Sequence, residues 1–294
     1  ADLRFVLAAA LLSVLWLVVR GFVWRPLLQN KPPYRDAFFT INEGYLLNNI
    51  LPFRLGEVAR AFLMSRKAGL DFWQVVPSIL IERALDLCIA VGLFLATLPF
   101  VIGASWAKGA AIATGVVVLS GLGTIFLLAL NRRRVLGWIE RAGTRTPVLQ
   151  KIAGRRVIAF FDGLEIITDG KLFLKALGWE GLNWLVALLQ YYCLLWAFYP
   201  RPDFLWALFA LGAAALGIAA PSSPGAIGVF EAALVGALAA FGIDTSSATA
   251  YALTTHAFSY LFTGLIGGFA LYRDGESLSG LYKLLGRMKS EGGT

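Results

Sequence analysis

Asn48-Asn49-Ile50-Leu51-Pro52-Phe53-Arg54-Leu55-Gly56-Glu57-Val58-Ala59-Arg60 sets a proline, a glycine and three ionisable side chains inside otherwise apolar, membrane-grade sequence. In the other half of the chain, Pro221-Ser222-Ser223-Pro224-Gly225-Ala226-Ile227-Gly228-Val229-Phe230-Glu231 does the same. Within each, a proline is followed four residues on by a glycine, Pro52 to Gly56 and Pro224 to Gly228, and then by a glutamate. Proline removes a backbone donor and glycine admits turns, so both stretches read as interrupted helices. Their breaks fall at Pro52 and Gly56, and at Pro221, Pro224, Gly225 and Gly228. Broken helices at matching places in two halves point to a binding site near the bilayer midplane of a transporter. The expectation is a chain that moves something across, or within, a membrane.

Composition agrees. A chain of 294 residues that is 58% hydrophobic and 15% charged cannot hide its apolar surface in one soluble core. The formal charge of +8 suggests nucleic acid at first sight, but the basic residues cluster between apolar spans, where the positive-inside rule explains them. No nucleic-acid partner is expected. Cys88 and Cys193 each lie in an apolar run, and one histidine cannot supply a zinc cluster, so neither a disulfide, a metal nor a cofactor is expected. No Walker loop, nucleophile elbow, HExxH or CxxC occurs, and Gly121-Leu122-Gly123 lacks the rest of a dinucleotide fingerprint. The chain does not read as an enzyme, and no catalytic residue is assigned. It opens at Ala1 directly in apolar sequence, which leaves room for an earlier segment.

A spanning helix needs about 20 apolar residues. Candidates run over 5–24, 72–101, 109–130, 181–199, 204–220 with 228–241, and 246–272. Trp24, Trp106, Trp179, Tyr199, Trp206 and Tyr272 lie near their ends, as an interfacial belt requires. The fold class expected is therefore all-α: a polytopic membrane protein of about six spans plus two re-entrant, broken-helix hairpins. Orientation follows from basic residues. Arg132 to Lys175 holds ten, whereas the loops at Lys108 and Arg201 hold one each. The first is expected in the cytoplasm and the other two outside. Arg25, Lys31 and Arg35, then Arg66 and Lys67, put both flanks of the first broken segment inside. Lys283, Arg287 and Lys289 put the C-terminus there too. Parity makes the two hairpins enter from opposite faces of the cell membrane, an inverted repeat. Residues 1–273 form the membrane domain, with a cytoplasmic segment 131–175, and 274–294 a short tail. Within that segment Leu149, Ile152, Ala153, Val157, Phe160, Phe161, Leu164 and Ile167 recur at helical spacing, an amphipathic helix that either lies on the inner leaflet or packs on the protein.

Charges at membrane depth are costly and usually paired. Arg54, Glu57 and Arg60 are spaced by three, so one helix face can carry an Arg-Glu-Arg ladder whose spare guanidinium donors suit a phosphate. Glu82, Arg83 and Asp86 form a second group, roughly 15 Å along a helix that starts at Phe72. A helix over 87–107 would instead leave them at the cytoplasmic edge, and burial against Arg54 and Arg60 is the reading preferred. Glu231 and His256 form the third; His256 is either a packing residue or a proton carrier. Asn48, Ser222 and Ser223 add polar groups at the breaks, and Gly264 and Gly268 suit close helix packing.

Three motifs in order, Leu51-Pro52-x-Arg54-x-Gly56-Glu57-x-x-Arg60-Ala61, Glu82-Arg83-x-x-Asp86 and Pro224-Gly225-x-Ile227-Gly228-x-Phe230-Glu231-Ala232, resemble the lysylphosphatidylglycerol synthase transmembrane family over nearly the whole chain. The resemblance implies a stand-alone, flippase-like member without the soluble synthase domain. Aminoacyl transfer is then not expected of this chain. Arg54, Glu57, Arg60, Glu82, Arg83, Asp86 and Glu231 inherit the family's signature positions, and His256 stands about where relatives carry arginine. Relatives usually carry one more span before the first seen here. Substrates implied are aminoacyl-phosphatidylglycerol or polyprenyl-phosphate-linked lipids, so the partners expected are membrane lipids with anionic or zwitterionic headgroups. A homodimer is left open. The rival functions are an accessory membrane subunit feeding lipid to a separate synthase or glycosyltransferase, and a small-solute secondary transporter.

Overall fold

The computed structural model describes residues 1–102, 130–143, 155–219 and 223–276, together with isolated positions between 116 and 127. Every described element is helical. We number the α-helices α1 (Leu3–Leu27), α2 (Tyr34–Ile50), α3 (Leu55–Ala68), α4 (Phe72–Ile102), α5 (Arg132–Gly143), α6 (Arg155–Leu164), α7 (Gly170–Phe198), α8 (Phe204–Ala219), α9 (Val229–Ala239) and α10 (Thr245–Arg273). Short 3₁₀ turns, Pro52–Arg54 and Pro224–Ala226, sit between α2 and α3 and between α8 and α9. Among the described residues α1, α4 and α7 are long and apolar enough to cross a membrane, and the chain is a multi-pass, all-α membrane protein. α10 matches them in length at 29 residues but is more polar.

Sequence explains where these helices start and stop. Asp2 caps α1 by accepting the Arg4 N–H at 2.9 Å, and Asp169 caps α7 by accepting the Lys171 and Leu172 N–H groups. That cap starts α7 at Gly170, well before the expected residue 181, and so brings Glu180 into the helix. Leu51, immediately before Pro52, is extended at ψ 142, which ends α2. Phe53 and Arg54 then take left-handed φ values of 56° and 57°. The second break repeats this residue by residue: after Pro224, Gly225 and Ala226 have φ values of 60° and 57°. Equal turns at equal offsets from proline are the backbone counterpart of the matched spacing in the two halves.

Both hairpins fold tightly. A Cβ on Gly56 would lie 2.1 Å from the Gly44 carbonyl oxygen, so α3 can approach α2 only with glycine there. Gly217 brings α8 against Ala233 of α9 in the same way. Between apolar helices in lipid, such van der Waals contact and polar bonds replace the hydrophobic effect as the source of cohesion. One core joins α7, α8, α9 and α10 around Leu194, Leu234 and Tyr251; a second joins α1 through α4 and α6 around Trp24, Ile41, Met64 and Phe161.

Several expectations meet a definite outcome. α4 is a single helix from Phe72, so Glu82 is a buried helical residue and not part of an edge turn. α6 packs on α4, with Gly163 close to Gln74 and Pro77, which favours the packing reading of the amphipathic segment over the leaflet reading. Leu149, Ile152 and Ala153 of that segment lie outside the described residues, as do most of the expected span 109–130, Trp106, Lys108, and the tail beyond residue 276. Gly264 and Gly268 meet nothing within 4 Å, contrary to the packing expected of them. Gly267 is the close-approach residue, facing the Asn42 carbonyl and Leu46 on α2, because helix rotation turns position 267 and not its neighbours toward the hairpin.

Candidate functional site

The two breaks touch. Arg54 is the residue before the first turn of α3, and its side chain reaches across to donate to the Ile218 and Ala219 carbonyls at 3.2 and 3.3 Å, at the end of α8. Its other guanidinium nitrogen is 3.0 Å from Glu57, in the first turn of α3, where a carboxylate also suits the helix dipole. The Arg54 side chain is 28% exposed and that of Glu57 23%.

Behind this pair lies a continuous ionic network across four helices. Glu57 is 3.8 Å from Arg83, and Arg83 pairs with Glu82 at 2.5 Å and Asp86 at 3.2 Å. Glu82 receives both arms of Arg60 at 3.2 and 3.0 Å and also Arg20 at 2.7 Å. Arg20, on α1, binds both oxygens of Asp86 and reaches Glu180 at 3.3 Å and Asn183 at 3.2 Å on α7. Trp184 closes the far end by donating to Glu180 at 2.8 Å. Four arginines thus face four carboxylates, and the cluster is formally neutral. Taking two charges from water costs several kcal/mol each, on the order of what a well-bonded partner returns, so such a cluster survives only fully paired.

The expected Arg-Glu-Arg ladder is only half formed. Glu57 turns to Arg54 and Arg83, and no ion pair joins it to Arg60 among the described residues. Arg60, 2% exposed, spends its fork on Glu82 and stacks 4.3 Å over the Trp24 ring. The reason is register: the helix carries Arg60 under α4 and against α1, while Glu57 stays at the mouth. Arg60 is therefore a strut, and the side chains left at the edge are Arg54, Glu57, Arg83 and Asp86, alternately positive and negative. Asn48 lies beside Gly56, and its side-chain oxygen is buried without a hydrogen-bond partner among the described residues.

At the second break, Ser223 donates to the Ile227 carbonyl at 2.8 Å, and Glu231 accepts the Gly228 N–H at 2.7 Å, closing the start of α9. His256 of α10 bonds both Glu231 and the Gly225 carbonyl. Pro221 and Ser222 lie outside the described residues.

Sequence reasoning passed over Arg20, Glu180 and Asn183. An arginine inside the first apolar span is a visible signal for Arg20; Glu180 lies one residue outside the expected span 181–199 and inside the helix that the Asp169 cap starts at Gly170. It also passed over the ties between the first hairpin and α10. Asn49 donates to Thr263 at 2.9 Å, and Lys67 gathers Thr40, Glu43 and Asp274. Burial of Asp274 opposes its ionisation, but hydrogen bonds from Arg273 and Lys67 outweigh it and pull the carboxyl down to about 2.

Comparison with known proteins agrees with the architecture. The family described as "Lysylphosphatidylglycerol synthase TM region" matches residues 1–267. A UPF0104 membrane protein of Methanocaldococcus jannaschii is 25% identical over 232 residues, which is 77% of this chain and 93% of that protein. No solved structure matches the chain.

Proposed function

We propose that this chain, which belongs to the lysylphosphatidylglycerol synthase TM region family, is a lipid flippase or scramblase that carries a phospholipid or polyprenyl-phosphate lipid between leaflets. The observation that carries the reading is the meeting of two broken helices at Arg54, beside a partly exposed edge of alternating charge. A lipid phosphate would take the guanidinium of Arg54, with help from Arg83, while an amine on the same headgroup would face Glu57 or Asp86. The tails remain in hydrocarbon. If the phosphate draws away the Arg54 Nη1 arm that now holds the carbonyl ends of α8, headgroup binding and separation of the hairpins are one event. That exchange gives the differential contact by which a ligand shifts a two-state equilibrium. The cluster's neutrality favours a headgroup carrying both signs over one that is purely anionic.

This reading sets the protein in the cell membrane with loop 131–175 and the C-terminus in the cytoplasm, supported by the basic residues there. The test is a proteoliposome assay with fluorescent lipids and a membrane-impermeant quencher. Protein should expose inner-leaflet lipid to the quencher, and Arg54→Ala and Glu57→Ala should abolish that exposure. Equal protection with and without protein, across lipid classes, would end the proposal. Both variants transporting at the parent rate would remove this site.

A further inference from the structure

The pair at the second break can be counted proton by proton. His256 Nδ1 lies 2.5 Å from Glu231 Oε1, and Nε2 lies 3.0 Å from the Gly225 carbonyl oxygen. A carbonyl carries no proton, so Nε2 must donate. On the other side, a nitrogen and a carboxyl oxygen at hydrogen-bond distance need one proton between them. The second oxygen of Glu231 is already an acceptor, from the Gly228 N–H. The arrangement therefore holds two protons over imidazole and carboxyl together and is neutral, whichever of the two carries the shared one. Take one proton away and a lone pair faces either the carboxylate or the carbonyl. One of the two bonds must then open.

Those two bonds tie α10 to the break itself at Gly225 and to the helix after it at Glu231. Among the described residues, Tyr260 is the other titratable group at the knot. The Pro224–Ala226 turn and α8 contribute no titratable side chain, and Glu231 is the one on α9. On its own helix His256 has Tyr260, its ring at 4.7 Å and its hydroxyl 3.5 Å from the Pro224 carbonyl; Phe230 of α9 covers the other side at 4.5 Å. From the first hairpin the group recorded at this junction is Arg54, engaged with α8. From α7, Tyr191 meets α10 at Tyr251, more than a turn from His256. The His256 and Glu231 side chains are 11% and 18% exposed, so a proton can reach them.

We infer that Glu231 and His256 form a proton-binding site that locks the second hairpin to α10, and that the ion coupled to transport is the proton. The coupling half of this inference rests on the translocation reading; the lock does not. Because the chain has a single histidine, ring-¹⁵N-labelled protein in nanodiscs reports on this imidazole alone. At low pH both ring nitrogens should be in hydrogen bonds, with Nε2 as a donor. As the pH rises the pair should lose one proton and one of these two bonds should open, together with faster amide exchange over 223–228. Glu231→Gln should abolish this linkage, and Tyr260→Phe should keep it. Two ring hydrogen bonds that persist unchanged across the range, or one that opens with no change at 223–228, would overturn the lock.

Coupling is read separately in proteoliposomes. A one-unit pH gradient should bias the leaflet distribution of transported lipid about tenfold for one proton per lipid. Glu231→Gln and His256→Asn should remove the bias. Lipid that equilibrates without regard to the gradient overturns coupling and leaves the flippase reading intact. The lock observed without any lipid movement refutes the flippase reading instead.

Discussion

The two hairpins share a backbone and differ in their chemistry. Each bends at a proline followed by two left-handed residues, and each leans on α10. The first is held by arginine: Arg54 to α8 and Glu57, Arg60 to Glu82, with Arg20 knitting α4 to α7 behind it. The second is held by a histidine hydrogen-bonded to a glutamate and to a backbone carbonyl. Arginine stays charged at every pH a cell meets, whereas imidazole changes state within it. Under the proton-lock inference, the matched backbone breaks carry a permanent joint on one side and a releasable one on the other.

The largest effect should come from the permanent joint. Arg20→Ala leaves Glu180 buried without a cation and takes one of the arginines from Glu82 and Asp86, which keep Arg60 and Arg83, and should cost about 3–5 kcal/mol of unfolding free energy in detergent micelles. A loss under 1 kcal/mol would mean the network is not a strut. Gly56→Ala drives a methyl into the Gly44 carbonyl and should cost about 1–3 kcal/mol by the same measurement, while Gly264→Ala, which meets open space, should stay within about 0.5 kcal/mol. Equal effects would break the account of hairpin packing. Arg54→Ala sharpens the contrast within one hairpin. Its pair with Glu57 is partly exposed, so stability should fall by less than about 1 kcal/mol while lipid movement stops. Arg60→Ala should do the reverse in proportion, with unfolding as its main readout.

The remaining prediction is confined to acid pH and concerns Asp274, which fastens the first hairpin to the end of α10 through Lys67. Its carboxyl titrates near 2 in the fold against about 3.9 in an unfolded chain. A depressed value means the stabilisation is complete above the unfolded value and is lost as pH falls from there through about 2. Acid unfolding of Asp274→Asn should therefore show less dependence on pH between about 4 and 2 than the parent, with no difference in slope near neutrality. An unchanged acid limb would remove that fastening from the account.

Helix type and the two breaks were legible because proline, glycine and buried charge act locally or are forbidden in lipid without partners; the reach of Arg54 to the end of α8 was not. Pro52 and Pro224 announce their turns whatever surrounds them. Which charge meets which was not legible. Arg60 belongs to Glu82 and not to Glu57, Gly267 packs and Gly264 does not, and Arg20 stands at the centre of a cluster drawn from α1, α4 and α7. Spacing along a helix limits such partners to a face, but the rotation of each helix against its neighbours chooses among them. That rotation is set by contacts summed over the whole bundle, which no single stretch of chain contains.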